Sequence, residues 1–176
     1  MLGHSRGGNQ TAWYAAEQAD PVVSKVILVA PATWSQDYAA RDYKKRYGAE
    51  LRPLLQRAKA LVAAGKGAEM LQHTGFIYCK EATVSAEAFV SYYQNDPRKD
   101  TVYLLPKIRQ PVLLFIGSED TVVPHLAEAI ETLQPKPDNL RVVVIDGADH
   151  FFRDLYAEDL VEQAVEFIQD SSRETK

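Results

Sequence analysis

Three short apolar runs stand out along the chain: Lys25 to Ala30 (KVILVA), Val112 to Ile116 (VLLFI) and Arg141 to Ile145 (RVVVI). None alternates apolar with polar positions, so each predicts a strand covered on both faces, as parallel strands between helices are. Elsewhere the apolar positions recur every three or four residues. Leu126, Ile130 and Leu133 form one such stripe; Leu160, Val161, Ala164, Val165 and Ile168 form another, which makes Asp154 to Ile168 the clearest helix. Near the start, Ala12, Ala15, Ala16 and Ala19 share one helical face, and Asp20-Pro21 ends it. Strand and helix in alternation predict the α/β class, with a mostly parallel sheet flanked by helices and functional groups at the carboxyl ends of the strands.

From Thr33 to about Leu105 this rhythm stops. The stretch offers helices and no clear strand, and reads as a helical insertion within one domain spanning residues 1–176. Leu51, Leu54, Leu55, Ala58, Leu61 and Val62 line one face of a helix that stops before Gly65 and Gly67. A second helix is expected over Ser85 to Tyr93.

At 176 residues and 46% hydrophobic, the chain carries material for one ordinary core. A net charge of -4 gives no electrostatic reason to expect a polyanionic partner, and no nucleic acid is expected, because phosphate binding needs lysine and arginine concentrated on one face. The densest basic group, Arg41, Lys44, Lys45 and Arg46, sits among Asp37, Asp42 and Glu50 and reads as a solvated helix face. Cys79, the single cysteine, cannot close an intrachain disulfide and reads as an ordinary part-buried thiol. There is no membrane segment, because no apolar run reaches the length that spans a bilayer. No histidine or cysteine spacing suggests a metal site. No pattern specifies an oligomeric state or a location.

The candidate chemistry begins at Leu2-Gly3-His4-Ser5-Arg6-Gly7-Gly8, a G-x-S-x-G sequence that opens a helix. A serine on a sharp strand-to-helix turn is held in a strained backbone conformation with its hydroxyl clear of the sheet, and glycines at 3 and 7 are expected to make room. The helix N-terminus points N–H groups toward developing negative charge. Alone the motif is weak, since it arises by chance in roughly one chain in twenty of this length. Two further segments strengthen it. Gly117-Ser118-Glu119-Asp120 follows the second apolar run, and Gly147-Ala148-Asp149-His150-Phe151-Phe152 follows the third, in the chain order Ser, Asp, His. Each residue also has a plainer reading: Ser5 as a helix cap, Asp120 as a turn residue before Pro124, and His150 as a structural histidine. Glu119 and, more weakly, Asp149 are rivals for the acid, while His4, His73 and His125 read as structural or surface residues.

Taken together, GHSRGG, PVLLFIGSEDTVVP and GADHFF resemble three motifs of the α/β-hydrolase superfamily, and the likeness spans nearly the whole chain. It implies a partial α/β-hydrolase fold in which Ser5 is the nucleophile, Asp120 the acid that orients the imidazole and His150 the base. It also implies that the backbone N–H of Arg6 is one oxyanion donor. Residues from Thr33 to about Leu105 would be the cap or lid, with Trp34, Tyr38 and Phe76 as lining candidates. The activity implied is hydrolysis of a small ester, thioester or amide through an acyl-serine intermediate, in the manner of an esterase or lysophospholipase, without cofactor. Serine at the elbow argues against the dehalogenase and epoxide-hydrolase branches, which use aspartate there.

Measured against that family the chain is expected to be truncated, lacking the first four strands, roughly 80 to 110 residues. The loop that gives the second oxyanion N–H goes with them. The run Lys25 to Ala30 would then present a long, apolar, unpaired edge, and the elbow would lose part of its support. An alternative follows, in which the chain is a non-catalytic α/β-hydrolase-like protein or fragment. Lyases and cofactor-free peroxidases on the same scaffold form a third possibility.

Overall fold

The computed structural model describes residues 1–18 and 20–170; Ala19, expected on the apolar face of the first helix, lies outside the described residues. Cα packing separates the chain into two compact units, one formed by Met1–Thr33 with the chain from Pro97 onward, the other by Trp34–Asp96.

The first unit is a four-stranded parallel sheet. β1 (Leu2–His4) leads into α1 (Ser5–Gln18), and β2 (Val26–Val29) follows. In the second unit come α2 (Gln36–Tyr47), α3 (Leu51–Ala63), β3 (Met70–Phe76), β4 (Cys79–Ser85) and α4 (Ala86–Tyr93). The chain returns to the first unit with the short α5 (Thr101–Leu104), then β5 (Val112–Gly117), α6 (Leu126–Glu131), β6 (Leu140–Ile145) and α7 (Leu155–Gln169). The strand order is β1-β2-β5-β6. Side chains alternate between faces along a strand, and the core divides accordingly. Val26 and Leu28 of β2 with Val112, Leu114 and Ile116 of β5 pack against Ala12 and Ala15 of α1, Leu104 of α5, and Leu126 and Ile130 of α6. Ile27, Val29, Leu113 and Phe115 face the other way, onto Ala164 and Phe167 of α7. Both faces of β2 and β5 are covered, and this is why their runs carry no alternation. The third run, in β6, departs from the expectation, with Leu140 and Ile145 buried but Val144 58% exposed at the edge of the four-stranded sheet.

Several expectations change here. β2 is not an edge: β1 pairs with it in parallel, Leu2 opposite Ile27, Gly3 opposite Leu28 and His4 opposite Val29. The three residues Leu2–His4 are enough to pair with Ile27 to Val29 of the run. The outward face of α7 carries Val161, Val165 and Ile168, all exposed, so its buried face is narrower than the apolar stripe. Leu104 and Leu105, placed at the end of the insertion by the sequence, are 1% exposed within the first unit's core.

The second unit is not wholly helical. β3 and β4 form an antiparallel hairpin in which Leu71 faces Val84. The turn is fixed from two helices: Tyr47 of α2 donates its hydroxyl to the Ile77 carbonyl at 2.7 Å, and the Tyr93 hydroxyl of α4 accepts from the Ile77 N–H at 3.2 Å. These bonds hold Ile77 at φ 57, a costly conformation for a β-branched residue. Burial among aromatic neighbours pushes the Tyr93 phenol up from its ordinary range. Cys79 opens β4 and is exposed, not part-buried, because it stands just past that turn. No helix among the described residues is long and apolar enough to cross a membrane.

Candidate active site

The local chain at Ser5 is a tight junction between β1 and α1. Ser5 has φ 55, in the left-handed region that costs a residue with a Cβ of order 1–3 kcal/mol. Its surroundings hold it there. Its carbonyl accepts from the Ala32 N–H at 2.9 Å, tying the elbow to the segment after β2. Asn9, buried on the next turn of α1, donates to the Arg98 carbonyl at 3.1 Å and to Thr101 Oγ1 at 3.3 Å. Thr101 Oγ1 donates in turn to the Ala32 carbonyl at 2.7 Å.

The glycines divide the labour differently from the expectation. A Cβ on Gly3 would collide with the Gly7 carbonyl oxygen and with Thr11 Oγ1, and one on Gly8 would come within 3.0 Å of Pro31 Cα. Gly7 has nothing within 4 Å of that position. The close approaches in this chain therefore require Gly3 and Gly8, not Gly7.

Asp120 follows β5 and His150 follows β6, and a clasp brings the two loops together. The Ser118 N–H donates to the Ile145 carbonyl at 3.2 Å and the Glu119 N–H to the Ala148 carbonyl at 3.0 Å. Ser118 Oγ accepts from the Gly147 N–H at 2.8 Å and donates to Asp146 Oδ1 at 3.2 Å. At the crossing stands Gly117, whose Cβ would overlap the Ala148 carbonyl oxygen and lie 2.9 Å from that of Asp149. Only a glycine allows the loop of β6 to lie this close to the end of β5.

This packing places three side chains in one line. Asp120 Oδ1 accepts from the Val122 and Val123 N–H groups at 2.7 and 3.0 Å, which fixes the carboxylate from its own turn. Its other oxygen, Oδ2, is 2.8 Å from His150 Nδ1, and His150 Nε2 is 2.8 Å from Ser5 Oγ. The Asp120 and His150 side chains are 3% and 5% exposed, so their mutual bond is shielded from water. A carboxylate can only accept, so Nδ1 carries the imidazole proton. In the neutral ring Nε2 is then bare and accepts from the serine hydroxyl.

The rivals stand elsewhere. Glu119 is exposed, and only its backbone joins the clasp. Asp149 accepts from the Phe151 N–H at 2.8 Å and pairs with Arg153 at 2.7 Å; the Arg153 hydrogen bond holds its carboxyl below the ordinary carboxylate range. His73 pairs with Glu81 on the exposed hairpin, and His125 is exposed ahead of α6. Arg6 is in the first turn of α1 with its side chain exposed. Phe76 packs against Phe89, Tyr92 and Tyr93, and Trp34 meets Tyr92 edge-on, both within the second unit's own aromatic cluster. Tyr38 lies on α2, and burial raises its phenol pKa above the ordinary range. His4, which the sequence reads as a structural or surface residue, is exposed at the end of β1 and places its Nε2 2.7 Å from the His150 carbonyl oxygen, a contact that nothing in the sequence marks. No group of acidic, histidine or cysteine side chains suited to a metal ion occurs among the described residues.

Comparison with known proteins agrees with this architecture. Residues 1–154 match the family described as alpha/beta hydrolase fold. Among solved structures, a monoacylglycerol lipase from Paleococcus ferrophilus superposes with a TM-score of 0.58 at 20% identity, over 95% of this chain and 66% of that one. Est1E from Butyrivibrio proteoclasticus gives 0.58 at 20% identity, over 96% of this chain and 59% of its own. An E-2-(acetamidomethylene)succinate hydrolase gives 0.55 at 20% identity, with 95% and 65% covered. At these identities the likeness shows the fold alone. This chain spans less than two thirds of the length of each of these structures. A search of the curated proteins gives no match.

Proposed function

The chain belongs to the α/β-hydrolase family, and on that premise we propose that it is a serine hydrolase acting on a small ester, thioester or amide through an acyl-serine intermediate. One observation carries the reading: the unbroken relay from Asp120 Oδ2 through His150 to Ser5 Oγ, with both links at 2.8 Å.

In the proposed reaction Ser5 Oγ attacks the substrate's carbonyl carbon while its proton passes to His150 Nε2. Asp120 remains a carboxylate, holding the ring in place and stabilising the imidazolium. The tetrahedral oxyanion is met by the Arg6 N–H at the start of α1, where the helix dipole also favours negative charge. Collapse expels the leaving group, which takes the proton from Nε2, and Ser5 keeps the acyl group as an ester. Water then gives a proton to Nε2 and attacks that ester. The acid departs, and the proton returns to Ser5 Oγ. The first and last proton transfers run between Ser5 Oγ and His150 Nε2, which are already 2.8 Å apart, and the protons given to the leaving group and taken from water balance without a cofactor.

The strained elbow supports the same reading. A left-handed serine is costly, and such strain clusters at functional sites. By its position in the chain, the Trp34–Asp96 unit takes the part of the family's variable cap, which selects the substrate. An esterase or lysophospholipase-like role is the broad assignment.

The test is labelling with a fluorophosphonate, which phosphonylates an activated serine. The expected result is one adduct on the peptide that contains Ser5, lost in Ser5→Ala. Absence of any adduct, or an adduct that survives Ser5→Ala, would overturn the proposal and favour a non-catalytic member of the family.

A further inference from the structure

His150 has a geometric problem that Asp120 does not. It follows β6, at the opposite end of the strand order from β1, whose end carries Ser5. Its loop must cross the carboxyl ends of the intervening strands to bring Nε2 to the serine. The clasp with β5 anchors the near side of this crossing, through the Glu119 N–H and the Ala148 carbonyl. Beyond it the loop is conformationally expensive, with Phe152 at φ 47 and Asp154 at φ 56. The far side of the crossing needs an anchor of its own.

His4 supplies it. The His150 carbonyl can only accept, so the contact of 2.7 Å from His4 Nε2 requires that this nitrogen carry a proton. The two rings lie side by side, with centroids 4.8 Å apart and planes tilted by 46°, and Phe151 closes the group at 5.4 Å from the His150 ring. The bond fixes the peptide between His150 and Phe151, and with it the direction in which the His150 side chain leaves the backbone. His4 is the last residue of β1 and the neighbour of Ser5, so the same strand end holds the nucleophile and the loop of its base.

Resting on the serine-hydrolase reading, we infer that His4 is a positioning residue: its Nε2–H, bonded to the His150 carbonyl, holds the imidazole in line with Ser5 Oγ. It touches no reacting atom. Its contribution is to keep the gap between Nε2 and Oγ at hydrogen-bond length, where a displacement of about 1 Å lowers a rate roughly 100-fold.

The test compares His4→Phe, which keeps a ring and removes the donor, with His4→Gln, which restores an N–H at nearly the same reach. The readouts are fluorophosphonate labelling of Ser5, resolved into its binding and bond-forming steps, and the low-field NMR signal of the His150 Nδ1 proton. His4→Phe is expected to slow the bond-forming step about 10- to 100-fold with the binding step unchanged, and to broaden the low-field signal. His4→Gln is expected to recover most of both. In the unaltered chain, nitrogen shifts are expected to show His4 in its Nε2–H tautomer. Equal labelling and an intact low-field signal in His4→Phe, or a His4 protonated only on Nδ1, would overturn the inference. Failure of the unaltered chain to label at Ser5 would instead remove the hydrolase reading, and the NMR arms would still decide whether His4 orients His150.

Discussion

Replacing Gly117 by alanine tests whether the approach of two loops builds the site. The added Cβ would stand 3.0 Å from the Ala148 carbonyl carbon and 2.9 Å from the Asp149 oxygen, and it would overlap the Ala148 oxygen. All three atoms are backbone, so no side chain can rotate away, and the loop must retreat by roughly 1 Å to restore normal contact. Overpacking of this kind costs about 1–3 kcal/mol, or about 5- to 150-fold in the folding constant. The same retreat would stretch the His150 Nδ1 to Asp120 Oδ2 bond, now 2.8 Å, beyond useful length. Urea unfolding should show the stability loss, and Ser5 labelling should slow at least 10-fold under conditions where the variant stays folded. A Gly117→Ala chain with unaltered stability and labelling rate would refute the idea that the clasp sets the relay.

The elbow glycines give a paired prediction. Gly3→Ala should fold poorly, since its Cβ meets the backbone of α1, whereas Gly7→Ala should be neutral or stabilise by up to about 1 kcal/mol through better helix propensity; thermal melts of both decide it. Buried Lys25 donates from Nζ to the Ile168 and Asp170 carbonyls at 2.8 and 2.7 Å, closing the end of α7. Lys25→Met should cost about 1.5–3 kcal/mol and speed amide exchange in the last turns of α7, and unchanged exchange there would count against this clamp. Asp149 has its pKa lowered by the Arg153 hydrogen bond, so its contribution to stability is present above the unfolded carboxyl pKa of about 3.9 and is lost as pH falls through the lower folded value. The difference in melting temperature between the unaltered chain and Asp149→Asn should therefore shrink toward zero in acid, and a difference that widens would contradict the assignment.

Much of the first unit is legible in the sequence because its two central strands, β2 and β5, are covered on both faces and leave unbroken apolar runs. Val26 to Val29 and Val112 to Gly117 are buried at every position, and among the described residues no other strand or helix shows that pattern. β1 is illegible for the opposite reason: three residues, two of them exposed, carry no periodicity, and only the pairing with β2 makes them a strand. The hairpin hides in the same way. Its buried positions are few, chiefly Leu71, Thr74 and Val84, set among Gln72, His73, Lys80 and Glu81, so its stability comes from tyrosines that are distant in sequence. In the site, G-x-S-x-G and the loops after the second and third runs pointed to Ser5, Asp120 and His150, which the structure brings into contact. The motif could not distinguish Gly7 from Gly8, because their difference lies in what α1 packs against. Nor could it foresee His4, whose partner is a backbone carbonyl 146 residues away.

The most direct test of the relay as a working catalyst is to trap the intermediate itself. The chain would be mixed with p-nitrophenyl acetate, quenched in acid within the first turnover and digested for mass spectrometry. An acetyl group on the Ser5 peptide, present in the unaltered chain and missing from His150→Ala, is the result predicted. Acetylation that falls on another residue, or that persists on Ser5 without His150, would contradict the account.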